Sequence, residues 1–514
     1  MVLSSWLYHN VKRRTPELAT GAFAILLQSP GLVAAVAGPR MRREVSTERL
    51  EPCEGKLSRT VLRALGRATA SGLPGAALRT MSIRHLHAGR IAFIVALALT
   101  ANTSIAENLN EPDREASPRL LRLARELQAG ERQALGSFWK ELDGKGPLVE
   151  SMVGNPRHRR VTFIWRGSNE TARVSMIRGL PGPNLLKPLR RLADTDLWYR
   201  TEVHSTEARF QYVFQINGPE TLPMEMPAIM QAMQQNPPRP DPFNPNQYAG
   251  SSYVELPDAP PQPWIKKQSG VPSGRTAEEK FKSQTLKAER SLSIYTPSSY
   301  EQDPSRCWLM IAFDGGSIVR DVTLDNLLAA GRIPPLVVVG VKNISSQTRQ
   351  RDLDCSDEFA TFLADELVPW VRKTYRVYDD PTHTIVGGSS LGGKMAVYCG
   401  LKHSEVFGKV LSQSGTFLTA PRQESPTPLW EGEAPGLLAV EFARSPRLPL
   451  QFYLEAGRYE TTLPFSPLLE TRRLRDVLEA KGYRMSYSEF VGDHNEVCWR
   501  GSFADAMMAL TARQ

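Results

Sequence analysis

The stretch that most constrains the fold is residues 383–393, HTIVGGSSLGG: a β-branched run enters a glycine-rich turn and leaves into a helical stretch from Lys394. Within it, Gly388-Ser389-Ser390-Leu391-Gly392 fits G-x-S-x-G. A strand, a sharp turn and a helix, in that order, hold a serine hydroxyl clear at the top of a sheet. The glycines permit the turn and let the flanking backbones pack closely. A phosphate-cradling loop would need Lys followed by Ser or Thr, which this stretch lacks. The rhythm continues on both sides. RSLSIYTP, WLMIAFDGG (308–316), PLVVVGVKN (335–343), KVLSQSG, LQFYLEAG and MSYSEFVGDH read as strands with their exit loops, and 359–375 as a helix. Strands alternating with helices predict a doubly wound, mostly parallel α/β sheet with ligands at the carboxyl ends of its strands.

A serine hydroxyl is a weak nucleophile at neutral pH and needs a base. In a strand–elbow–helix hydrolase the chain order is serine, acid, histidine. Only His403 and His494 follow Ser390. His403 falls at the end of the helix that leaves the elbow, where it reads as a surface or cap residue. His494 falls in the loop GDHNE after MSYSEFV, where the base belongs. The acid should follow QFYLEAG: Glu460, three residues past Gly457, is favoured, with Glu455 at the strand end as the alternative. It would hold the imidazole tautomer and stabilise the imidazolium. The Leu391 N–H at the helix start would face a developing oxyanion, and Gly315 or Gly316, in the loop after an early strand, would supply the second donor. The expected fold class is therefore α/β: an α/β-hydrolase preceded by a small β-sandwich domain.

That sandwich rests on VTFIW (161–165), ARVSMI (172–177), LWYRTEV (197–203) and FQYVFQI (210–216), short β-rich runs separated by turn residues. Residues 117–129 read as a helix capped by Ser117, with Pro118 at its first position and Gly130 past its end; a second helical stretch covers 131–142. The expected organisation is a helical segment 107–145, a sandwich 146–220, a Pro-rich linker 221–283 and a catalytic domain 284–514. Ahead of these, the apolar run Ile91–Ala101 spans about half of a membrane-crossing helix. Arg84 and Arg90 precede it, and Ser104 and Ala106 form a small-x-small cleavage site, so 81–106 read as an export signal starting at Met81 and cleaved after Ala106. A buried core helix is the competing reading. Residues 1–80 are then expected to be an upstream over-reading of the frame or a disordered leader. The expected location is periplasmic or secreted, or cytoplasmic without that signal.

Charge points the same way. The net charge of +9 is carried by the first 106 residues, and from residue 107 onward Lys plus Arg equals Asp plus Glu. The body therefore offers no bulk positive field, so nucleic acid is not an expected partner. No Cys/His spacing suggests a metal site, and no cofactor is expected. Cys307, Cys355, Cys399 and Cys498 are buried thiols or bridges in any of three pairings.

IVGGSSLGG, GLKHSEVFGKVLSQSG, YLEAGRYE and GDHNEVCWRG together resemble the enterochelin (enterobactin) esterase family, and VTFIWRG with LRRLADTDLWYRTEV resembles that family's amino-terminal domain. The likeness runs over roughly residues 145–514, outside the Pro-rich stretch. It implies a serine esterase that opens the ester bonds of a tri-catecholate trilactone siderophore, free or ferric, to release iron. The family's serine, acid and histidine fall on Ser390, Glu460 and His494. Asn495 stands where the family usually has Asp. A ferric tri-catecholate carries a charge of about −3, and guanidinium groups bind and stack on such anions. Arg349, Arg351, Arg458 and Arg500, with Lys394, lie close in sequence to the expected site elements. Trp499 reads as core or as a catechol-stacking ring. The competing readings are an exported feruloyl or acetyl carbohydrate esterase and a non-catalytic ferric-siderophore binder. A monomer or small homo-oligomer is expected.

Overall fold

A computed structural model describes residues 116–179, 185–222, 226–316, 319–417, 436–461 and 466–512. The leader 1–80 and the expected export signal 81–106 lie outside the described residues. No described helix is long and apolar enough to cross a membrane.

Ser117 caps the first helix, Pro118–Gln128, by accepting from the Leu120 N–H at 3.1 Å, and a second follows over Ala134–Leu142. Two antiparallel sheets come next. Strands β1 (Leu148–Ser151), β2 (His158–Arg166), β3 (Val174–Ile177), β4 (Leu186–Pro188), β5 (Arg190–Arg191), β6 (Leu197–Ser205), β7 (Arg209–Ile216), β8 (Gln247–Tyr248) and β9 (Ser251–Glu255) divide between them. One sheet runs β1-β2-β6-β5 and the other β4-β3-β7-β9-β8. Val161 and Phe163 from the first pack against Val174, Met176, Phe210, Tyr212, Phe214 and Val254 of the second, which makes a sandwich with one apolar core. The two helices cover the outer face of the first sheet through Leu123, Phe138 and Trp139 against Ile164 and Leu197.

Residues 221–283, expected as a linker, are built into both domains. A helix spans Met226–Gln235, β8 and β9 complete the second sandwich sheet, and β10 (Arg275–Ser283) pairs along its length with β11 (Ala288–Thr296). Pro and charged residues mask these strands in the sequence; their partners impose extended structure that local propensity does not announce.

The larger sheet continues with β12 (Trp308–Ala312), β13 (Leu336–Val341), β14 (Thr384–Ser389), β15 (Lys409–Gln413), β16 (Gln451–Gly457) and β17 (Arg484–Phe490), in the order β10-β11-β13-β12-β14-β15-β16-β17. From β13 to β17 all neighbours are parallel. Strands β13, β14, β15 and β16 are buried along their whole length, as the central strands of a parallel sheet covered on both faces should be. One face packs against the helices around Phe359–Val371, Met395–Cys399, Leu438–Phe442 and Leu474–Leu478, and the other against Leu324, Leu327 and Phe503–Leu510. The strand order reverses between β12 and β14, so the loops leaving these two strands flank the crevice where such sheets bind ligands. The expected helix 359–375 is present as Asp357–Thr361 and Val368–Thr374 joined by a π-turn, Phe362–Leu367. Pro369 has no N–H to donate and crowds the preceding turn, and the wider turn absorbs both effects.

Candidate active site

Ser390 sits between β14 and the helix Leu391–Lys402 with φ 58° and ψ −123°, a backbone region that L-residues rarely occupy. Its N–H donates to Gln413 O at 2.9 Å and its carbonyl accepts from Lys394 N–H at 3.1 Å, so the turn is held from both sides. The turn requires Gly388: a Cβ there would lie 2.6 Å from the carbonyl carbon of Gly392. Leu391 is the first residue of the helix, so its N–H has no intrahelical acceptor and points out of the helix end.

The opposite wall is the turn Asp314–Gly316 after β12. Gly315 and Gly316 have φ 69° and 80°, and β13 carries Gly340 where any Cβ would strike the Gly315 carbonyl at 2.5 Å. The two glycines offered as oxyanion donors are not equivalent. Gly316 N–H is committed to Phe313 O at 2.9 Å, which leaves Gly315 as the candidate in this turn.

His494 lies in the loop between β17 and the last helix, Glu496–Thr511. Its Nδ1 is 3.5 Å from Glu460 Oε1, and both side chains are largely buried. Glu460 follows β16 in a tight turn, its N–H donating to Gly457 O at 3.0 Å, and Ser466 Oγ–H ties down its carbonyl at 2.9 Å. The carboxylate is further fixed by a relay the sequence did not reveal. Trp499 Nε1–H donates to Ser414 Oγ at 2.9 Å, and the Ser414 hydroxyl donates to Glu460 Oε1 at 2.7 Å. The Trp499 ring meets the His494 ring edge-to-face at 4.8 Å. Trp499 is thus a buried prop beside the imidazole. The sequence signal for Ser414 is the SQSG that closes β15, where Ser414 takes φ 50°.

Glu455, the alternative acid, faces elsewhere. It accepts from Gln413 Nε2 at 2.8 Å, Ser502 Oγ at 2.6 Å and Tyr453 OH at 3.3 Å. Complete burial pushes its carboxyl up to about 7, against the pull of these donors. His403 is the C-cap of the elbow helix and lies 3.1 Å from Glu405. Asn495 caps the last helix, accepting from the Cys498 N–H at 3.3 Å.

Each cation expected around the substrate has a protein partner. Arg349 makes a bidentate pair with Asp314 at 2.6 and 2.8 Å, bracing the turn that carries Gly315. Arg351 contacts Asp352, whose other oxygen holds the buried Arg290 at 2.6 Å. Lys394 is buried against Asp354. Arg458 lies 3.6 Å from Glu489, and Arg500 bonds Gln262 Oε1 at 3.1 Å while lying over Tyr248 and Tyr253. Cys307, Cys355, Cys399 and Cys498 are free thiols, and the described residues contain no cluster of His, Cys, Asp and Glu able to hold a metal ion.

Two family models match the chain. The model described as enterochelin esterase, N-terminal, covers residues 160–265, and the putative esterase model covers 283–510. The iron(III) enterobactin esterase of Dickeya dadantii is 29% identical over 413 residues, 74% of this chain and 92% of that protein. The crystal structure of the ferric enterobactin esterase of Salmonella typhimurium superposes with a TM-score of 0.59 at 26% identity, covering 73% of this chain and 98% of that one. The Shigella flexneri enterobactin esterase determined in the presence of enterobactin gives 0.58 at 26% identity over 73% of this chain and 97% of that one. With the hydrolase sheet, its elbow serine and the preceding sandwich in place, the chain is a carboxylic ester hydrolase that is similar to the enterochelin esterases through both of its domains.

Proposed function

We propose that this protein is a serine esterase that opens the trilactone ester bonds of an enterobactin-like catecholate siderophore, free or ferric, and so releases iron. One structural observation carries the chemistry: a buried carboxylate, Glu460, faces Nδ1 of His494 in the loop after the last strand of a sheet whose elbow presents Ser390. The substrate class follows from the relatives, which are enterobactin esterases matched through both domains. No specific observation favours the carbohydrate-ester or sequestration readings.

In this reading Ser390 Oγ attacks an ester carbonyl while His494 takes its proton, and Glu460 holds the ring with Nδ1–H toward the carboxylate. The Leu391 and Gly315 amides stabilise the oxyanion. Collapse expels the alcohol of the next ester unit, which takes the proton back from His494. Water then attacks the acyl-enzyme by the same route, leaving a carboxylic acid and regenerating Ser390. Opening the ring removes the covalent constraint that preorganises three catechols around the metal, and the chelate weakens.

The test is mass-spectrometric product analysis after incubation with ferric and iron-free trilactone and, in parallel, a feruloylated sugar. The expected result is stepwise opening of the trilactone, each ester adding one water, with the sugar ester untouched. Release of ferulate with an intact trilactone overturns the reading.

The apolar run Ile91–Ala101, with its flanking arginines and the Ser104/Ala106 cleavage pattern, supports export to the periplasm or beyond. N-terminal sequencing of the natural protein should find Glu107 or a near neighbour; a mature chain that retains residues 81–106 excludes export by this signal.

A further inference from the structure

The sandwich grips the loop that carries His494. At the start of β7 the Arg209 N–H donates to Val491 O at 2.9 Å, Arg209 and Gly492 form a parallel β-bridge, and Cys498 Sγ–H donates to Arg209 O at 3.1 Å. From the other side the N–H of Tyr459, the neighbour of Glu460, donates to Gly492 O at 3.1 Å. Side chains extend the grip. Arg178, just past β3, leaves only 9% of its side chain exposed; its Nη1 lies 3.3 Å from Asp493 Oδ2 and its Nη2 3.3 Å from Glu202 Oε2. The guanidinium lies over the rings of Phe210 and Tyr459 at 4.6 and 5.5 Å.

Glu202 on β6 also gathers Arg200 at 2.7 Å, His204 Nε2 at 3.1 Å and Lys187 of β4 at 3.6 Å. Burial alone would push the Glu202 carboxyl up, but His204 and these cations overcome it and hold it far below the usual range. Burial keeps His204 below its ordinary value despite that carboxylate, and its Nδ1 lies 3.4 Å from Tyr459 OH. Asp493, 6% exposed, directly precedes His494 and takes its counter-charge from Arg178, a residue of the other domain.

We propose that Arg178 and Asp493 are positioning residues for hydrolysis: their buried ion pair, reaching out of the sandwich, fixes the peptide that aims His494 at Glu460. The proposal rests on His494 being the catalytic base. Its physical ground is that both partners are buried and that Arg178 is held between Glu202 and Asp493, so removing either member of the pair strands a charge beside the imidazole and frees the loop. A displacement of about 1 Å in a catalytic group costs up to about 100-fold in rate. The sandwich thereby becomes part of the catalytic apparatus, whatever it does for substrate binding.

The test uses the full chain as wild type, Arg178→Met, Arg178→Lys, Asp493→Asn and the Arg178→Met/Asp493→Asn double variant. Fluorophosphonate labelling of Ser390 needs the base but not siderophore recognition, so it is measured beside trilactone hydrolysis and thermal melting. Arg178→Met and Asp493→Asn should slow labelling and kcat by about 10- to 100-fold, with KM changed less than about threefold. Arg178→Lys, which keeps the charge, should recover most of the rate. Asp493→Asn removes a negative charge beside the base and Arg178→Met a positive one. The acid limb of the rate–pH profile should therefore move down in the first, up in the second, and back toward wild type in the double variant. A role confined to domain docking lowers the melting temperature and leaves that limb in place. Folded variants that label at the wild-type rate with an unmoved limb overturn the proposal alone. A wild-type protein that does not label sinks the hydrolase reading and this proposal with it.

Discussion

Ser390→Ala should abolish trilactone hydrolysis, with kcat falling by about 10⁵- to 10⁶-fold, while the melting temperature stays within a degree or two of wild type. The size of the loss follows from what the side chain does in the proposed mechanism. Without the alkoxide there is no acyl-enzyme, and the residual rate is what oxyanion donors and binding provide over water. The unchanged stability follows from the backbone. At φ 58° and ψ −123° serine is already strained, and alanine is strained by the same Cβ, so the exchange neither adds nor relieves it. Ser390→Gly separates the two effects: it should be equally inactive yet melt no lower than Ser390→Ala, because glycine has no Cβ to crowd this turn. Turnover by either variant above about one-thousandth of wild type would remove Ser390 from the mechanism.

The elbow was legible because everything that defines it is local. Its strand, its glycines and its helix are consecutive, and the fully buried strand β13, LVVVGV, announces itself as an unbroken apolar run. Strand β10 did not. RTAEEKFKS is an edge strand, mostly exposed, whose charges suit water and whose extended form is imposed by β11. The same limit governed the site. His494 emerged by elimination within the catalytic domain, but Ser414 matters only because β15, the Glu460 turn and the last helix converge there. Arg349 sits a few residues from a site element and turned out to brace Asp314. Arg178, far away in sequence, lies against Asp493. Spacing along the chain carries no direction for a long side chain, and contacts between domains leave no local pattern at all.

The two candidate acids differ most clearly in what their removal should do. Glu460→Gln replaces the carboxylate facing His494 Nδ1 with an amide whose Oε1 or Nε2 holds the ring without charge, and kcat should fall by about 10³- to 10⁴-fold. Glu455→Gln should leave kcat within about threefold, since its carboxyl is enclosed by Gln413, Ser502 and Tyr453. Its effect should appear in stability instead, and with a definite sign. Burial raises the folded carboxyl from the ordinary 4.5 to about 7. Between these values the folded state binds more protons than the unfolded state, so wild-type stability falls as pH rises through that window, by roughly 3 kcal/mol in all. The amide in the Glu455→Gln variant has nothing to ionise. Thermal melts of Glu455→Gln and wild type should therefore diverge in favour of the variant between pH 5 and pH 8, at about 2–4 °C per kcal/mol. Kinetics that put the large loss on Glu455→Gln, with Glu460→Gln near wild type, would exchange the two carboxylates. The relay from Trp499 through Ser414 would then have no bearing on the reaction, because it ends on Glu460.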